Sequence, residues 1–295
     1  MRYALALIAA SLFAATAGSS FVDDNARFRA DYEASLRAPN GWLSVAGLFW
    51  LHDGPNSMGS DPRSDVVLPS GSLPKGAPAR AAILRLAAGK VTLEPDPRSG
   101  LLLNGKPATK ALLGADTSGH PDRLQLGQLF LTIIDRDGKP GVRLRDPNAA
   151  TRRNFTGLSW YPADPAWRIK AKWVPYTEPH KIRITNILGI TDEEPSPGYA
   201  EFTVKGRTVR LEPVLDDDGS LFFIFKDSTS AHTTYGAGRF LDAEKPAGQT
   251  VLLDFNRATN PPCAFTAFAT CPLPPKQNSL PVAIEAGEKM YAKHE

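Results

Sequence analysis

The sequence predicts a mainly β protein, and two features support this prediction. Short apolar or alternating runs of strand length recur, as at 82–86, 129–134, 181–187 and 221–225. Strands at this spacing, in a chain with 26 prolines and 24 glycines, are typical of β-sandwiches and barrels. Dipeptides that suit two-residue hairpin turns lie between the runs: Asn40-Gly41, Asp53-Gly54, Asn104-Gly105, Asp137-Gly138 and Asp218-Gly219.

One short helix is predicted before the first strand. Phe28, Tyr32 and Leu36 repeat every four residues in a polar background, which places them on one stripe of a helix. Pro39 and Asn40-Gly41 end the pattern. We therefore expect residues 18–40 to form a helical lead-in.

The first 17 residues have the features of a signal peptide. Arg2 supplies the positive charge, Ala4 to Ala15 is an apolar stretch too short to span a bilayer, and Ala15-Thr16-Ala17 is a small-residue cleavage site. The alternative is a buried N-terminal helix. The pattern predicts a periplasmic or secreted protein cleaved near Ala17. No later segment has the uninterrupted apolar length of a membrane span.

The remaining chain is expected to form two β-rich parts, at 41–150 and 151–295. Gly59-Ser60-Asp61 before Asp65 to Pro69, and the later Leu103-Asn104-Gly105, resemble the layout of a forkhead-associated domain. Such domains read phosphothreonine through an Arg after the glycine and a His in a nearby loop. Ser60 replaces that Arg, and the segment 78–81 has no His. The resemblance therefore implies a β-sandwich fold and no phosphopeptide binding.

Composition argues against several classes of function. The net charge is only +3 and the basic residues form no long run, so nucleic acid is not an expected partner. The sequence has no nucleophile elbow, zinc-protease helix, P-loop or dinucleotide-binding glycine motif. The five histidines show no metal-ligand spacing, so we predict neither a metal nor a cofactor.

The C-terminal part carries long, specific motifs. They read F-K-D-S-T-S at 225–230, T-Y-G-A-G-R-F-L at 234–241, D-F-N-R-A-T-N-P-P-C at 254–263, C-P-L-P-P at 271–275 and A-G-E-K at 286–289. These motifs, with Gly41 to Leu51 and Trp167 to Ile169, resemble the bacterial domain of unknown function family DUF1684 over nearly the whole mature chain. The resemblance implies no particular activity. The density of proline in this part predicts a long, stiff loop.

Cys263 and Cys271 are the only cysteines. Because the predicted compartment is oxidising, we expect them to form a disulfide. The alternative is a nucleophilic or metal-binding thiol, although two cysteines without histidine spacing make a poor zinc site.

Six polar residues of the motifs are predicted to converge on one pocket. Asp254 and Glu288 are the candidate catalytic residues. The candidate ligand-binding residues are Tyr235, Arg239, Asn256 and Asn260. Arg239 has the geometry to grip a carboxylate or phosphate. The alternative is that the group is scaffold, with Arg239 and Asp254 forming a buried ion pair.

Two functional hypotheses use this set. In the first, the protein binds a small ligand or an envelope protein without catalysis, and the lack of a nucleophile or metal motif favours it. In the second, it is a hydrolase of a small molecule or glycan. Asp254 and Glu288 would then be the acid/base pair, and Arg239 and Asn256 would hold an anionic intermediate.

Overall fold

The described chain begins with helix α1 (Ala9–Arg37), which ends two residues before Pro39. The computed structural model describes the backbone of residues 9–291 and the side chains of residues 21–291. Residues 1–8 of the predicted signal peptide, and the side chains around its cleavage site, lie outside the described residues. Phe28 and Tyr32 of the predicted stripe both pack edge-on against Trp160.

The chain divides into two compact units. The sandwich unit comprises Ser35–Thr156 and Phe265–Ala269. The C-terminal unit comprises the residues up to Ala34, together with Gly157–Ala264 and the chain from Thr270 onward. This division differs from the predicted ranges 41–150 and 151–295, because five residues of the predicted loop belong to the sandwich unit.

The sandwich unit contains eleven strands in two sheets. The order of the six-stranded sheet is β1-β11-β10-β9-β6-β7, and the order of the five-stranded sheet is β3-β2-β4-β5-β8. The short helix α2 (Ala150–Arg153) follows the last strand. The strands are β1 (Val45–Trp50), β2 (Gly54–Gly59), β3 (Val66–Val67), β4 (Arg80–Ala87), β5 (Lys90–Pro95), β6 (Leu102–Leu103), β7 (Lys106–Pro107), β8 (Ala111–Leu113), β9 (Arg123–Leu126), β10 (Leu129–Arg136) and β11 (Lys139–Arg145).

Alternation along these strands builds the core between the two sheets. Leu84 and Leu93 from one sheet and Leu131 and Leu144 from the other belong to one buried cluster. The predicted hairpin turns at 104–105 and 137–138 are confirmed, since both residues of each pair have positive φ and connect adjacent antiparallel strands.

In the part of the C-terminal unit that the structure describes there are nine strands in three small sheets. Their orders are β16-β15-β12-β20, β17-β18-β19 and β13-β14. The strands are β12 (Arg168–Pro175), β13 (Lys181–Thr185), β14 (Thr191–Pro195), β15 (Gly198–Val204), β16 (Arg207–Leu211), β17 (Val214–Leu215), β18 (Leu221–Phe225), β19 (Arg239–Ala243) and β20 (Thr250–Asp254).

The core of the C-terminal unit is rich in phenylalanine. Phe202, Phe223, Phe225 and Phe255 lie in one cluster that draws on the four-stranded and three-stranded sheets. After β20 the chain follows the predicted irregular path, with 3₁₀ turns at Phe255–Arg257, Pro262–Ala264 and Lys276–Asn278. The prediction of a mainly β fold is confirmed. None of the helices within the described residues has the length and apolarity needed to cross a membrane.

Candidate functional site

Asp254 is held at the end of β20 by the turn that follows it. Its Oδ1 accepts hydrogen bonds from the backbone N–H of Asn256 at 3.2 Å and from the Asn256 side chain at 2.9 Å. Its Oδ2 lies 3.9 Å from Arg168 Nε and 3.7 Å from Arg257 Nε. Both distances allow an ion pair but are too long for a hydrogen bond. Oδ2 can therefore still accept hydrogen bonds from a ligand.

Asp254 lines a cleft of ≈ 510 Å³ in the C-terminal unit, which we call the Asp254 cleft. Its walls combine four carboxylates with two guanidinium groups, and Phe28 and Leu252 supply apolar surface. The excess of carboxylates favours a cationic ligand. The lining residues are Phe28, Arg168, Asp218, Ser220, Asp242, Ala243, Glu244, Leu252, Asp254 and Arg257.

Two carboxyl groups of this cleft differ in their electrostatics. Burial, and then the negative charge of nearby Asp216, raise the pKa of Asp242. The hydroxyl and backbone N–H of Ser220 donate to Asp218 at 2.6 and 2.8 Å and lower the pKa of that carboxyl group. Asp218 is therefore the more readily ionised of the two.

Arg239 lies in the core, away from the Asp254 cleft. Its Nη2 is 2.6 Å from Asp227 Oδ2, and both side chains are almost inaccessible to solvent. The guanidinium group also donates to the carbonyl oxygens of Ile284 and Ala286. The suggested ion pair between Arg239 and Asp254 is wrong, because Asp227 supplies the counter-charge.

Glu288 is also fully buried and is held by Asn260. Both of its carboxylate oxygens accept hydrogen bonds from Asn260, each at 2.7 Å. Burial raises the pKa of Glu288 to about 8, although the Asn260 bonds and the charge of Arg239 act in the opposite direction. Tyr32 donates its hydroxyl hydrogen to the Asn260 carbonyl oxygen at 3.2 Å.

Asn256 and Tyr235 each bind the backbone of another segment. The Asn256 side chain accepts from the N–H of Asp164 and donates to the C=O of the same residue, both at 2.9 Å. The Tyr235 hydroxyl group donates to the Cys263 carbonyl oxygen at 3.1 Å. Burial raises the pKa of Tyr235.

Cys263 and Cys271 are close together as thiols in the described chain. The backbone N–H of Cys263 points to Cys271 Sγ at 3.1 Å. The Cys271 thiol lowers the pKa of Cys263 to about 7, against the effect of burial. The predicted disulfide stays a prediction that this proximity makes testable.

Of the six predicted residues only Asp254 lines the Asp254 cleft, with 14% of its side chain exposed, and the other five, including Tyr235 and the fully buried Asn256, bind protein groups. Asp254 lines the cleft and Asn256 orients it. Arg239, Asn260 and Glu288 are buried and bind neighbouring protein groups. Sequence reasoning did not single out the other charged residues of the cleft, although Arg168 lies in the motif Trp167 to Ile169 and Arg257 in the motif at 254–263, because a motif does not show which side chains share a cleft.

The described residues contain no group of three or more His, Cys, Asp or Glu side chains that could hold a metal ion. The expectation that the protein uses no cofactor stays a prediction.

These features define a mainly β protein with a charged cleft in its C-terminal unit. Residues 153–289 match the family described as "Protein of unknown function (DUF1684)". This match is narrower than the resemblance predicted over nearly the whole mature chain, because the motif at Gly41 to Leu51 lies outside it.

The chain is also similar to an uncharacterised protein of Haloarcula marismortui whose structure was determined in solution by NMR. The two are 30% identical, the alignment covers 48% of this chain and 81% of that protein, and the TM-score is 0.41. No curated protein matches the chain.

Proposed function

We propose that the protein is a non-catalytic binding protein that takes a small organic cation in the Asp254 cleft. The supporting observation is that four carboxylates and only two guanidinium groups line the cleft, and that Asp254 Oδ2, 3.7–3.9 Å from those guanidinium groups, accepts no hydrogen bond from the described chain. A protonated amine donates charge-assisted hydrogen bonds to such an oxygen. Phe28 and Leu252 offer contact for an apolar portion of the same ligand.

The hydrolase alternative has less support from the same geometry. Its acid/base pair requires Asp254 and Glu288 to reach one substrate. Glu288 is inaccessible to solvent, and both of its oxygens are occupied by Asn260. A carboxyl group in that environment maintains the fold without contacting a substrate.

A thermal-shift measurement with matched ions tests the proposed ligand class. Benzylamine and cadaverine serve as cationic probes, and benzoate and glutarate serve as anions of similar size and shape. A ligand present at about 100 times its Kd adds about 2.7 kcal/mol to the free energy of unfolding. We expect the amines to raise the Tm and the anions to leave it unchanged.

Variants then locate the site. Asp254→Asn removes the charge and should abolish the amine-induced shift, whereas Glu178→Gln removes an exposed carboxylate outside the cleft and should preserve it. Equal shifts with anions and amines, no shift with any probe, or an unchanged shift in Asp254→Asn would each refute the proposal.

We also propose that the protein acts outside the cytoplasm. The arrangement of Arg2, the apolar run to Ala15 and the small residues up to Ala17 supports this proposal. Cell fractionation with N-terminal sequencing tests it. A product that begins near Gly18 in the periplasm or medium is expected, and a cytoplasmic product that retains the first 17 residues would exclude export.

For the sandwich unit we propose a forkhead-associated-like fold without phosphopeptide recognition. Support comes from Gly59, which ends β2 where that strand pairs in parallel with β3, and from the Asn104-Gly105 hairpin. An experimental structure of this unit superposed on such domains tests the fold, and a different strand order would refute it.

A further inference from the structure

A basic groove runs along β13 in the C-terminal unit. It shares no lining residue with the Asp254 cleft. Its volume is ≈ 680 Å³, and it is bounded by β13 on one side and by the segment 273–277 on the other. Lys181, Arg183 and Lys276 line it, and none of its lining residues is Asp or Glu. Two carboxylates lie next to the lining residues: Glu193 is opposite Arg183 in the β13–β14 ladder, and Glu212 is 2.8 Å from His180 and 2.9 Å from Gln277. We call it the β13 groove.

The edge of β13 that faces this groove is paired only at its C-terminal end, where the segment 271–273 forms an antiparallel bridge at Asn186. Asn186 N–H donates to Ile190 O at 2.8 Å, which fixes the alternation of the antiparallel β13–β14 ladder. By that alternation Ile182 and Ile184 bond to β14, while the N–H and C=O groups of Arg183 and Thr185 point away from it. Thr185 O confirms this direction, since it accepts the N–H of Leu273 at 2.8 Å.

Two prolines end the pairing between β13 and the segment at Leu273. Pro274 and Pro275 follow Leu273 and have no N–H to donate. The N–H and C=O groups of Arg183 face away from β14. They consequently have no backbone hydrogen-bond partner within the described chain. An edge of this kind is a template for an added strand.

We propose that the β13 groove binds an extended acidic segment of a partner protein, which adds to β13 as a further strand. Neither Arg183 nor Lys276 forms an ion pair with a described residue, and the exposed Lys181 approaches Glu193 only to 3.7 Å. The backbone edge supplies main-chain hydrogen bonds, and the three cations select carboxylates on alternate residues of the added strand.

A labelled peptide tests strand addition directly. The probe is a fluorescein-labelled six-residue peptide of alternating Glu and Val, and its binding to the intact protein is followed by fluorescence anisotropy at low ionic strength. We expect saturable binding that weakens as salt is added. Methylation of alternate backbone nitrogens keeps the charge but removes the donors, so the methylated peptide should not bind. Binding should also slow hydrogen exchange of the Arg183 amide.

Protein variants provide the second arm. The double variant Arg183→Gln/Lys276→Gln should weaken binding about tenfold, the effect of losing two surface ion pairs. Lys170→Gln removes one exposed strand lysine outside the groove and should bind as the unmodified protein does.

Four outcomes would overturn the proposal. They are the absence of peptide binding, equal binding of the methylated peptide, unchanged binding by the double variant, and no change in exchange of the Arg183 amide. Sedimentation adds a fifth, because self-association lost in the double variant would assign the groove to a second copy of the chain. The methylated peptide keeps the test decisive if the double variant is poorly folded.

Discussion

Asn260 binds the carboxyl group of Glu288 twice, through its backbone N–H to Oε2 and its side-chain Nδ2 to Oε1, each at 2.7 Å. The carboxyl group is fully buried, and burial raises its pKa from the ordinary 4.5 to about 8. Glu288 therefore carries a proton in most folded molecules at neutral pH. Its ionisation is linked to the stability of the C-terminal unit.

The first prediction concerns this linkage. Because the folded pKa lies above the unfolded one, the folded state binds more protons between them, and the free energy of unfolding falls as pH rises from about 4.5 to about 8. The stabilisation is complete below the lower value and is lost through the upper one. Glu288→Gln should flatten this part of the stability curve, as measured by urea unfolding at several pH values.

A neighbouring carboxylate provides the control for this experiment. Glu285 is exposed and pairs with Lys205 at 2.7 Å, so Glu285→Gln should leave the slope unchanged. If Glu288→Gln and the unmodified protein lose stability in parallel between about pH 5 and pH 8, Glu288 is ionised in the fold and the prediction is wrong.

The second prediction concerns the buried pair of Arg239 and Asp227. Arg239→Met leaves the Asp227 carboxylate buried without its counter-charge, and this should cost about 3–5 kcal/mol of stability. Denaturant unfolding measures the loss. Arg210→Met is the matched control, because Arg210 pairs with Glu201 at the surface at 2.9 Å and should cost under about 1 kcal/mol. Similar losses in the two variants would contradict the prediction.

Hydrophobic pattern predicted many of the strands but not all of them. The runs at 129–134 and 221–225 lie in β10 and β18; burial alternates along the first four residues of β10, whereas β18 is a continuous apolar run with four of its five residues buried. Strand β14 was missed because it contains Asp192, Glu193 and Glu194 and lies at the edge of a two-stranded sheet. Charged residues suit an exposed edge, but they give no apolar signal.

The candidate site was predicted less completely than the strands. Some of its charged side chains pair with residues on a neighbouring strand that is distant in the sequence. Arg168 lies directly opposite Asp254 in the β12–β20 ladder, although 86 residues separate them in the sequence. Local motifs identified Asp254 and Arg239 as important, but they carry no information on which strands are neighbours. The buried partner of Arg239 and the cross-strand partner of Asp254 therefore had to come from the structure, whereas Arg257, 3.7 Å from Asp254, lies three residues on in the same motif.

The third prediction concerns Asn278, whose buried side chain joins two strand ends. It donates to Glu212 O at 2.7 Å and to Ile224 O at 2.9 Å, and it accepts from Glu212 N–H at 2.9 Å. Asn278→Ala leaves three backbone groups without partners and should lower the free energy of unfolding by about 3 kcal/mol. Thermal or denaturant unfolding measures this change.

Gln277→Ala is the control next to it in the sequence. Gln277 makes one side-chain bond, to Glu212 at 2.9 Å in a partly exposed position, so its loss should cost under about 1.5 kcal/mol. A cost for Asn278→Ala no greater than that for Gln277→Ala would show that water replaces the three buried bonds.

The fourth prediction is that Cys263 and Cys271 form a disulfide when the protein is in an oxidising compartment. The contact with the Cys271 thiol lowers the pKa of Cys263 to about 7, so its thiolate forms more readily than that of an ordinary cysteine. A thiolate beside a second thiol is readily oxidised in an oxidising compartment. Closing this short loop should add about 2–3 kcal/mol to the stability through the entropy of the unfolded chain.

Thiol titration of the denatured, unreduced protein tests this prediction and should detect no thiols. Reduction should release both thiols and lower the Tm. The variant Cys271→Ser should show one thiol, and reduction should not change its Tm. Two titratable thiols in protein recovered from the periplasm would show that the pair stays reduced.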